Sequence, residues 1–416
     1  MSGDEKNVPK RRFKEFEDTK AWIRSKIGKT GYFYYGKSAP KWSVTIDAKT
    51  PCVRYGELYT KHSEIIDKIY SYTNIPRDNL KFSTGKEVLV PRVGEDPLDF
   101  ANCSWLSISD VAIGEMISVY NTEHNPLFTS YMFNALYKYE FAKRVEGGNV
   151  SNLYYAYLED IPVSFPSIDE QEKIATFLKY ISNLITIHQR KLEKMKALKK
   201  AYLMEMFPVE GELNPKLRFV GFTNDWGQSK LGEVSKLSSS KRVHREDYAE
   251  KGIPFFRGLE ISKLGSYSKL EDLLYISKEY YNNLKDKYGV PKIGDILITA
   301  VGTLGNSYLI CDNTPFYFKD GNLIWFSDIK INPQYLNIYI GDGIGKKRVL
   351  ESATGSNQKA LTMVKLQDIQ VLIPSKEEQR KIGIFFQNLD NLIIINQHKL
   401  DKLQNIKKAY LNEMFI

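Results

Sequence analysis

Residues 166–207 read PSIDEQEKIATFLKYISNLITIHQRKLEKMKALKKAYLMEMF, and residues 374–415 read PSKEEQRKIGIFFQNLDNLIIINQHKLDKLQNIKKAYLNEMF. The two stretches align without a gap at a single offset of 208 residues (374 − 166), and 23 of the 42 aligned positions are identical. Chance does not produce a match of this length and identity, so the chain contains an internal duplication.

Each copy opens with signals that start a helix. Ser167 with Glu170, and Ser375 with Glu378, fit the S-x-x-E capping box. In that motif the serine accepts a bond from one free amide and the glutamate reaches back to another. A proline stands before each serine and stops any helix that enters from upstream. We therefore expect both helices to begin at these residues.

Apolar residues then recur every seven positions, which is typical of helices that pair along a heptad seam. A second apolar row follows three residues behind, at Phe177, Leu184 and Leu198 in the first copy and at Phe385, Leu392 and Ile406 in the second. One rung of the seam is polar in both copies, and a polar core residue tends to fix the register of a helix pair. The predicted seam residues are Ile174, Ile181, His188, Met195, Tyr202, Ile382, Leu389, Asn396, Leu403 and Tyr410.

The order of the segments indicates how the helices pair. A helix of about 38 residues is about 57 Å long. The segment between the repeats begins where the first helix ends and finishes where the second begins, and antiparallel pairing places these two points side by side. Parallel pairing would require that segment to span the whole helix. We therefore predict an antiparallel coiled coil with one globular domain at each end, related by a pseudo-two-fold axis.

The predicted fold class is α+β, with two globular domains joined by the two long helices. Short β-type runs bounded by Gly, Asn, Asp or Pro, such as TPCVRYGEL at residues 50–58, recur in both variable segments. Gly85-Lys86-Glu87-Val88-Leu89 and Gly294-Asp295-Ile296-Leu297 are predicted to be equivalent turn-then-strand segments. The predicted domains are residues 1–165, 166–207, 208–373 and 374–416, in which the second and fourth are the helices.

Charge and composition limit the class of protein. The net charge of +9 and the pI near 9.0 favour a polyanionic partner. No apolar run approaches 18 residues and the N-terminus lacks the apolar core of a signal peptide, so we expect a cytoplasmic protein without a membrane contact. Three widely spaced cysteines indicate neither a disulfide framework nor a zinc site, and we expect them to be buried thiols.

Motifs for nucleotide binding or catalysis are weak. Residues 31–38, GYFYYGKS, satisfy the spacing of a phosphate-binding loop, but four aromatic residues fill it, so a loop in the first globular domain is the better interpretation. No G-x-G-x-x-G follows a strand, and each Asn-Pro pair continues with Leu, Lys or Gln, unlike the N-P-P-Y of a methyltransferase. The pattern favours a non-catalytic chain with no metal and no catalytic residues.

The repeated motifs P-S-x-x-E-Q-x-K-I and K-K-A-Y-L-x-E-M-F resemble the two conserved regions of the specificity (S) subunit of type I restriction–modification enzymes. This resemblance covers essentially the whole chain. It implies that each variable half is a target recognition domain that reads one half of a bipartite, asymmetric site in double-stranded DNA, and that the helices set the gap. It also implies docking of two modification (methyltransferase) subunits and, through them, of restriction (translocase/nuclease) subunits. S-adenosylmethionine, ATP and magnesium would then belong to those partners, with no cofactor in this chain.

Candidate DNA-binding residues follow from the chemistry of recognition. Lys and Arg neutralise phosphates, while Arg, Lys, Asn, Gln, Ser and Thr read base edges. Arg54 and Arg257 are the strongest candidates because each follows a β-type run at a comparable place. The full predicted set is Lys37, Lys41, Arg54, Tyr55, Arg92, Asn149, Ser151, Asn152, Lys241, Arg242, Arg257, Lys263, Thr303, Asn306, Gln358 and Lys359.

One other class of function fits the same pattern. A non-catalytic coiled-coil scaffold carrying two ligand-binding domains would also have repeated helices and divergent globular segments. It would lack salt-sensitive, sequence-dependent affinity for DNA, and this property distinguishes the two interpretations.

Overall fold

The computed structural model describes residues 7–266, 268–355 and 359–416. The chain forms two compact units: one comprises the described residues up to Ile187 together with Lys399–Ile416, and the other the described residues of His188–His398. Two helices of 38 residues each, Ile168–Glu205 (the central helix) and Lys376–Glu413 (the C-terminal helix), contribute to both units. The four domain ranges predicted from the sequence stay a prediction. The two compact units divide each long helix between them, so they do not correspond to those ranges.

Both long helices begin where the sequence predicts, but only half of each capping box forms. Ser167 Oγ accepts the amide of Glu170 at 3.4 Å, and Ser375 Oγ accepts the amide of Glu378 at 3.3 Å. The two glutamates do not cap, because each is buried and a buried carboxylate needs a charged partner.

An arginine from each entry segment supplies that partner. Arg12 donates to Glu170 through Nε and Nη2 at 2.7 and 2.6 Å, and both side chains are almost fully buried. In the second unit Arg218 donates to Glu378 in the same two-pronged way at 2.9 and 2.8 Å. These paired bonds fix the entry segment of each unit to the start of its long helix.

The glutamine that follows each of these glutamates binds a shorter helix. Gln171 donates to the carbonyl of Pro166 and accepts the amide of Asn125, whose side chain caps the helix Pro126–Leu136. Gln379, Pro374 and Asn332 repeat this arrangement at the start of Pro333–Gly341. The Asn-Pro pairs are therefore helix N-caps followed by Pro at the first helical position.

The described residues of the first unit form four sheets and three short α-helices. Its five-stranded sheet has the order Gly31–Tyr35, Ile117–Thr122, Glu87–Pro91, Ser104–Leu106, Ile65–Ile66, and its four-stranded sheet the order Ser71–Thr73, Thr50–Val53, Ser109–Ile113, Phe82–Thr84. Smaller sheets pair Glu146–Gly147, Ser151–Asn152 and Val93–Gly94, and Ile23–Lys26 with Pro162–Phe165. The α-helices are Tyr55–Thr60, Pro126–Leu136 and Lys138–Ala142, and 3-10 turns lie at Lys14–Phe16, Ile27–Lys29, Lys41–Ser43, Arg77–Asn79, Pro97–Ala101 and Tyr155–Tyr157.

The second unit contains three sheets and six short α-helices among its described residues. One four-stranded sheet has the order Lys236–Ser238, Leu323–Ser327, Ile296–Thr299, Ser307–Leu309, and the other the order Tyr248–Ala249, Leu274–Ile276, Ile253–Phe256, Tyr317–Phe318. Gly227–Lys230 pairs with Gln370–Ile373. The α-helices are Leu231–Val234, Gly258–Gly265, Lys278–Tyr288, Pro333–Gly341, Gly343–Glu351 and Met363–Gln367, and a 3-10 turn lies at Arg245–Asp247.

The two units share the order of four strands in the main sheet despite their divergent sequences, and the first unit adds Ile65–Ile66 at one edge. In both, the strand after the predicted glycine turn lies inside the main sheet, and Gly85 and Gly294 adopt the positive φ angles of 91° and 92° that favour glycine. Each unit also holds a parallel pair, Thr50–Val53 with Ser109–Ile113 and Ile253–Phe256 with Tyr317–Phe318, and the first unit holds a second one, Ile65–Ile66 with Ser104–Leu106. The mixed α and β content and the equivalence of the two turn-then-strand segments are confirmed.

Two sequence interpretations are wrong in detail. Gly31–Tyr35 is a strand paired with Ile117–Thr122, not a loop. Cys52 and Cys103 are buried, but Cys311 is exposed. Neither correction changes the candidate site.

Within each unit the start of one long helix packs on the end of the other. The rings of Phe177 and Tyr410 meet edge to face at 4.8 Å in the first unit, and those of Phe385 and Tyr202 meet in the same way at 4.9 Å in the second. The two pairs occupy equivalent positions, because Phe385 and Tyr410 lie 208 residues after Phe177 and Tyr202. Within each unit the two helix segments therefore run antiparallel.

None of the predicted seam residues is fully exposed. Asn396 is buried and donates to the sulfur of Met195 and to the carbonyl of Leu392, whereas the Nδ1 atom of His188 is buried without a hydrogen-bond partner among the described residues. In the second row Leu198 and Leu392 are about half exposed, unlike the other four. The buried seam residues are Ile174, Ile181, Ile382 and Asn396, and the half-buried ones are His188, Met195, Tyr202, Leu389, Leu403 and Tyr410.

Candidate nucleic-acid interface

In the first unit, three of the predicted basic residues meet at the turn 113–117. The amide of Lys37 donates to the carbonyl of Ile113 at 2.9 Å. The amide of Gly114 donates to the carbonyl of Val53, the residue before Arg54, at 3.0 Å. The amide of Arg92 donates to the carbonyl of Met116 at 3.2 Å. One turn thus holds the backbones of three separate segments together at the ends of the two large sheets.

Arg92 is held by aromatic rings. Its guanidinium lies 4.4 Å from the ring centre of Tyr35 and 5.5 Å from that of Tyr154, within the range of cation–π attraction. Burial raises the pKa of the Tyr35 hydroxyl, and the positive charge of Arg92 opposes that rise. The Nε of Arg92 is buried without a hydrogen-bond partner among the described residues. Arg92 therefore has a fixed position and an unused donor.

The hairpin that contains residues 148–152, GNVSN, lies beside Arg92. Ser151–Asn152 pairs with Val93–Gly94, and the amide of Leu153 donates to the carbonyl of Arg92 at 2.8 Å. Asn149 is exposed at the tip of the hairpin, whereas Ser151 is buried and donates to the carbonyl of Gly148. The hairpin can therefore present Asn149 and Asn152, while Ser151 shapes the turn.

Two predicted residues of the first unit, Lys41 and Tyr55, make no hydrogen bond to the turn 113–117 among the described residues. Lys41 is exposed in the turn Lys41–Ser43, which precedes the strand Thr50–Val53. Tyr55 is exposed at the first position of the helix Tyr55–Thr60. The β-type run TPCVRYGEL predicts that the strand continues past Arg54. The strand instead ends at Val53, and the segment after Arg54 is a helix.

In the second unit, Arg257 lies at the end of the strand Ile253–Phe256 and precedes the helix Gly258–Gly265. Its side chain donates to both oxygens of Glu260 at 2.6 and 3.2 Å, and its amide donates to the same carboxylate at 2.7 Å. Burial opposes ionisation of Glu260, but these bonds from Arg257 outweigh it and hold the pKa of Glu260 below its usual value. About a third of the Arg257 side chain stays exposed.

Lys241 and Arg242 lie near the strand Tyr317–Phe318, which pairs with the strand before Arg257. The amide of Lys241 donates to the hydroxyl of Tyr317, and the guanidinium of Arg242 contacts Asp320 at 3.1 Å. The amide of Lys319 donates to the carbonyl of Phe256, directly before Arg257. The two basic segments are therefore neighbours.

The remaining residues of the second unit surround the loop 300–306. Asn306 donates to the hydroxyl of Ser262, next to Lys263 on the helix after Arg257, and Thr303 is exposed within the loop. The amide of Leu361 donates to the carbonyl of Ala300, which places the segment of Lys359 beside the same loop. Gln358 lies outside the described residues.

The candidate sites of the two units are built alike but carry different side chains. Arg54 and Arg257 occupy the same place, and their amides both bond a glutamate three residues later, Glu57 and Glu260. Arg92 has Ala300 as its counterpart, because the amides of Leu153 and Leu361, 208 residues apart, bond their carbonyls. A shared scaffold therefore presents two surfaces with different side chains.

Sequence reasoning missed the acidic partners of these sites and of the helix ends. The first lysine of each KKAY motif is largely buried and paired: Lys407 contacts Glu64 at 2.7 Å, and Lys199 contacts Asp390 at 2.8 Å and Asp342 at 3.5 Å. The repeat of KKAY at one offset was the available signal. The acids lie far away in the sequence and carry no motif of their own.

Among the described residues, no group of His, Cys, Asp and Glu is arranged to hold a metal ion. No helix in the described ranges is long and apolar enough to cross a membrane.

The family model for the type I restriction modification DNA specificity domain matches residues 106–197 and 223–405 of this chain. The matched residues cover about two thirds of the sequence, including parts of both units and both long helices.

Relatives and solved structures agree with that match. The chain is 25% identical over 327 residues to a Haemophilus influenzae protein assigned as a type I restriction enzyme specificity subunit, covering 74% of this chain and 76% of the relative. It is 25% identical over 299 residues to the MjaVIII specificity subunit of Methanocaldococcus jannaschii, covering 68% of each. The crystal structure of a type I restriction-modification S subunit from M. genitalium has a similar fold, with a TM-score of 0.64, 16% identity, and coverage of 98% and 99%.

Proposed function

The chain belongs to the family of type I restriction-modification DNA specificity domains, and from that premise we propose that it selects the DNA sequence on which a type I restriction–modification complex acts. Each globular region reads one half of a bipartite, asymmetric site in double-stranded DNA.

The observation that carries this proposal is the pair of equivalent candidate sites. In both units an arginine follows a strand of a parallel pair and a polar loop lies at the end of the main sheet. Basic side chains can neutralise phosphates, and the neighbouring Asn, Ser and Thr side chains can read base edges. Because the units differ at Arg92 and Ala300, the two half-sites differ in sequence.

The long helices set the gap between the half-sites. Equivalent aromatic pairs in each unit support one antiparallel coiled coil with a pseudo-two-fold axis, in which each end carries one recognition domain. Such a spacer would have a length fixed by its number of heptads. The residues of the seam would then set the distance of the readers without contacting bases.

The reaction itself belongs to partner subunits in this proposal. The chain would dock two modification (methyltransferase) subunits and, through them, restriction subunits. S-adenosylmethionine, ATP and magnesium would bind to those subunits. The site of action is the cytoplasm.

Co-expression of the chain with its modification subunits tests the proposal. Genome-wide mapping of methylated bases is expected to give one motif with two short, different half-sites separated by a constant gap. The chain alone, supplied with S-adenosylmethionine, magnesium and DNA, should neither methylate nor cleave. A complex that binds DNA without sequence preference or salt dependence would favour the scaffold function instead.

A further inference from the structure

The loop of residues 40–49, here called the Trp42 loop, displays two large apolar side chains to solvent. Trp42 is 76% exposed and Ile46 is fully exposed. Scattered apolar residues on a surface need no explanation, but a Trp and an Ile in one short loop form a local apolar projection.

The backbone holds this projection in place. Ser43 is buried, donates to the carbonyl of Pro40 at 2.7 Å and shares a hydrogen bond of 2.8 Å with the hydroxyl of Thr73. The amide of Asn74 donates to the carbonyl of Ser43, and its side chain donates to the hydroxyl of Thr45. The residues between the two apolar side chains are therefore anchored, so the outward direction of Trp42 and Ile46 is built into the loop.

The charge around the loop indicates the partner. Residues 36–54 contain the basic residues Lys37, Lys41, Lys49 and Arg54 against a single acidic residue, Asp47. Lysine is depleted in protein–protein interfaces, whereas interfaces with DNA are strongly basic. The loop also leads directly into the strand Thr50–Val53, which ends at Arg54. The Trp42 loop therefore connects two residues of the candidate DNA site, Lys37 and Arg54, along the chain.

We propose that the Trp42 loop is an additional DNA contact of the first recognition domain, in which Trp42 and Ile46 enter a groove and pack against bases while Lys41 and Lys49 bind the flanking phosphates. Apolar side chains of this kind can wedge between base pairs or stack on exposed base faces. This inference rests on the proposed function and adds a contact that basic residues alone would not provide.

Substitutions separate the two kinds of contact. With the assembled modification complex and a duplex that carries the mapped site, Trp42→Ala should weaken binding by about tenfold, the effect of losing one stacking contact. Because no charge is removed, the slope of affinity against salt concentration should not change. Lys49→Gln should instead lower that slope by about one. Ile46→Ser should resemble Trp42→Ala.

Tyr139→Ala is the matched control, since Tyr139 is a 70% exposed aromatic residue of the same unit outside the loop. Equal affinity of the Trp42→Ala and Tyr139→Ala complexes, with thermal unfolding unchanged in both, overturns the inference. If the wild-type complex itself shows no sequence-dependent binding, the proposed function fails instead.

Trp42 also reports its own environment. Trp22 and Trp226 are buried and Trp105 and Trp325 are half-buried, so Trp42 is the exposed one of the five tryptophans, all of which lie in the described ranges. The difference in acrylamide quenching between wild-type and Trp42→Phe complexes isolates its signal. Shielding by DNA supports the inference, whereas shielding by the modification subunits before DNA is added shows a protein contact and overturns it.

Discussion

At the scale of single residues, Arg257 has two roles that one substitution cannot separate. Its guanidinium can face DNA, and it also neutralises Glu260, which is 1% exposed. Arg257→Ala should lower the free energy of unfolding by about 2 to 3 kcal/mol, because it leaves a buried carboxylate without its charged partner. Chemical denaturation measures this loss, and Arg257→Ala with Glu260→Gln should recover part of it.

Arg54→Ala is the control for that prediction. Its amide bonds Glu57 in the same way, but the structure places no ion pair between the side chains of Arg54 and Glu57, both of which are described. The stability of this variant should be nearly unchanged while reading of the first half-site weakens. An equal loss of stability in both variants would contradict the role given to Glu260.

The Arg257–Glu260 pair also has a pH dependence of known sign. The folded pKa of Glu260 lies below the usual value near 4.3. Its stabilising contribution is therefore present above about pH 4.3 and is lost as the pH falls through the lower folded value. The difference in unfolding free energy between wild type and Glu260→Gln should shrink over that range.

The sequence predicted where Arg54 and Arg257 lie but not what binds them. Their position after a β-type run is visible in the residues alone. The glutamate three residues later becomes a partner only because a helix begins immediately after each arginine and turns the chain back. In the same way, Glu170 looked like a capping residue until folding placed Arg12, 158 residues earlier, against it.

At the scale of elements, the proposed gap depends on helix length. Deleting residues 184–190 and 392–398 removes one heptad from each helix while keeping the Phe177–Tyr410 and Tyr202–Phe385 pairs. Seven residues span about 10.5 Å, which corresponds to about three base pairs at 3.4 Å each. Methylation mapping should show the same half-sites with a gap shorter by about three base pairs.

Deleting only one of the two heptads provides the contrast. Both aromatic pairs cannot then form in one regular coiled coil, so the complex should lose stability rather than acquire a new gap. An unchanged gap in the double deletion would show that the helices do not set the spacing. The heptad period made this element predictable, although it did not show that Leu198 and Leu392 stay half exposed.

At the scale of the whole molecule, the duplication was visible in the helices and hidden in the globular regions. Residues 29–150 and 233–354 share little sequence, yet four strands of their main sheets follow the same order. Strand order depends on long-range pairing, which short β-type runs do not reveal. The two globular regions do share residues at points where the chain must turn, such as Gly85 and Gly294.

The core of the first unit limits how the first recognition domain can be replaced by that of another family member. Its core includes Phe415 from the chain end, whose ring contacts Phe128 at 5.2 Å and Trp22 at 6.5 Å. Replacing residues 1–165 with those of another family member should change the first half-site alone, provided that Trp22 and Phe128 are kept. Methylation mapping of the chimaera measures both half-sites.

A second chimaera carrying Phe128→Ala separates folding from recognition. Removing a buried aromatic side chain costs about 3 to 5 kcal/mol, so this chimaera should unfold at a lower temperature and methylate fewer sites. Since Phe128 lies in the core and not at the candidate site, the sites that it still methylates should carry the same motif. A change in the second half-site in either chimaera would show that the two units do not read DNA independently.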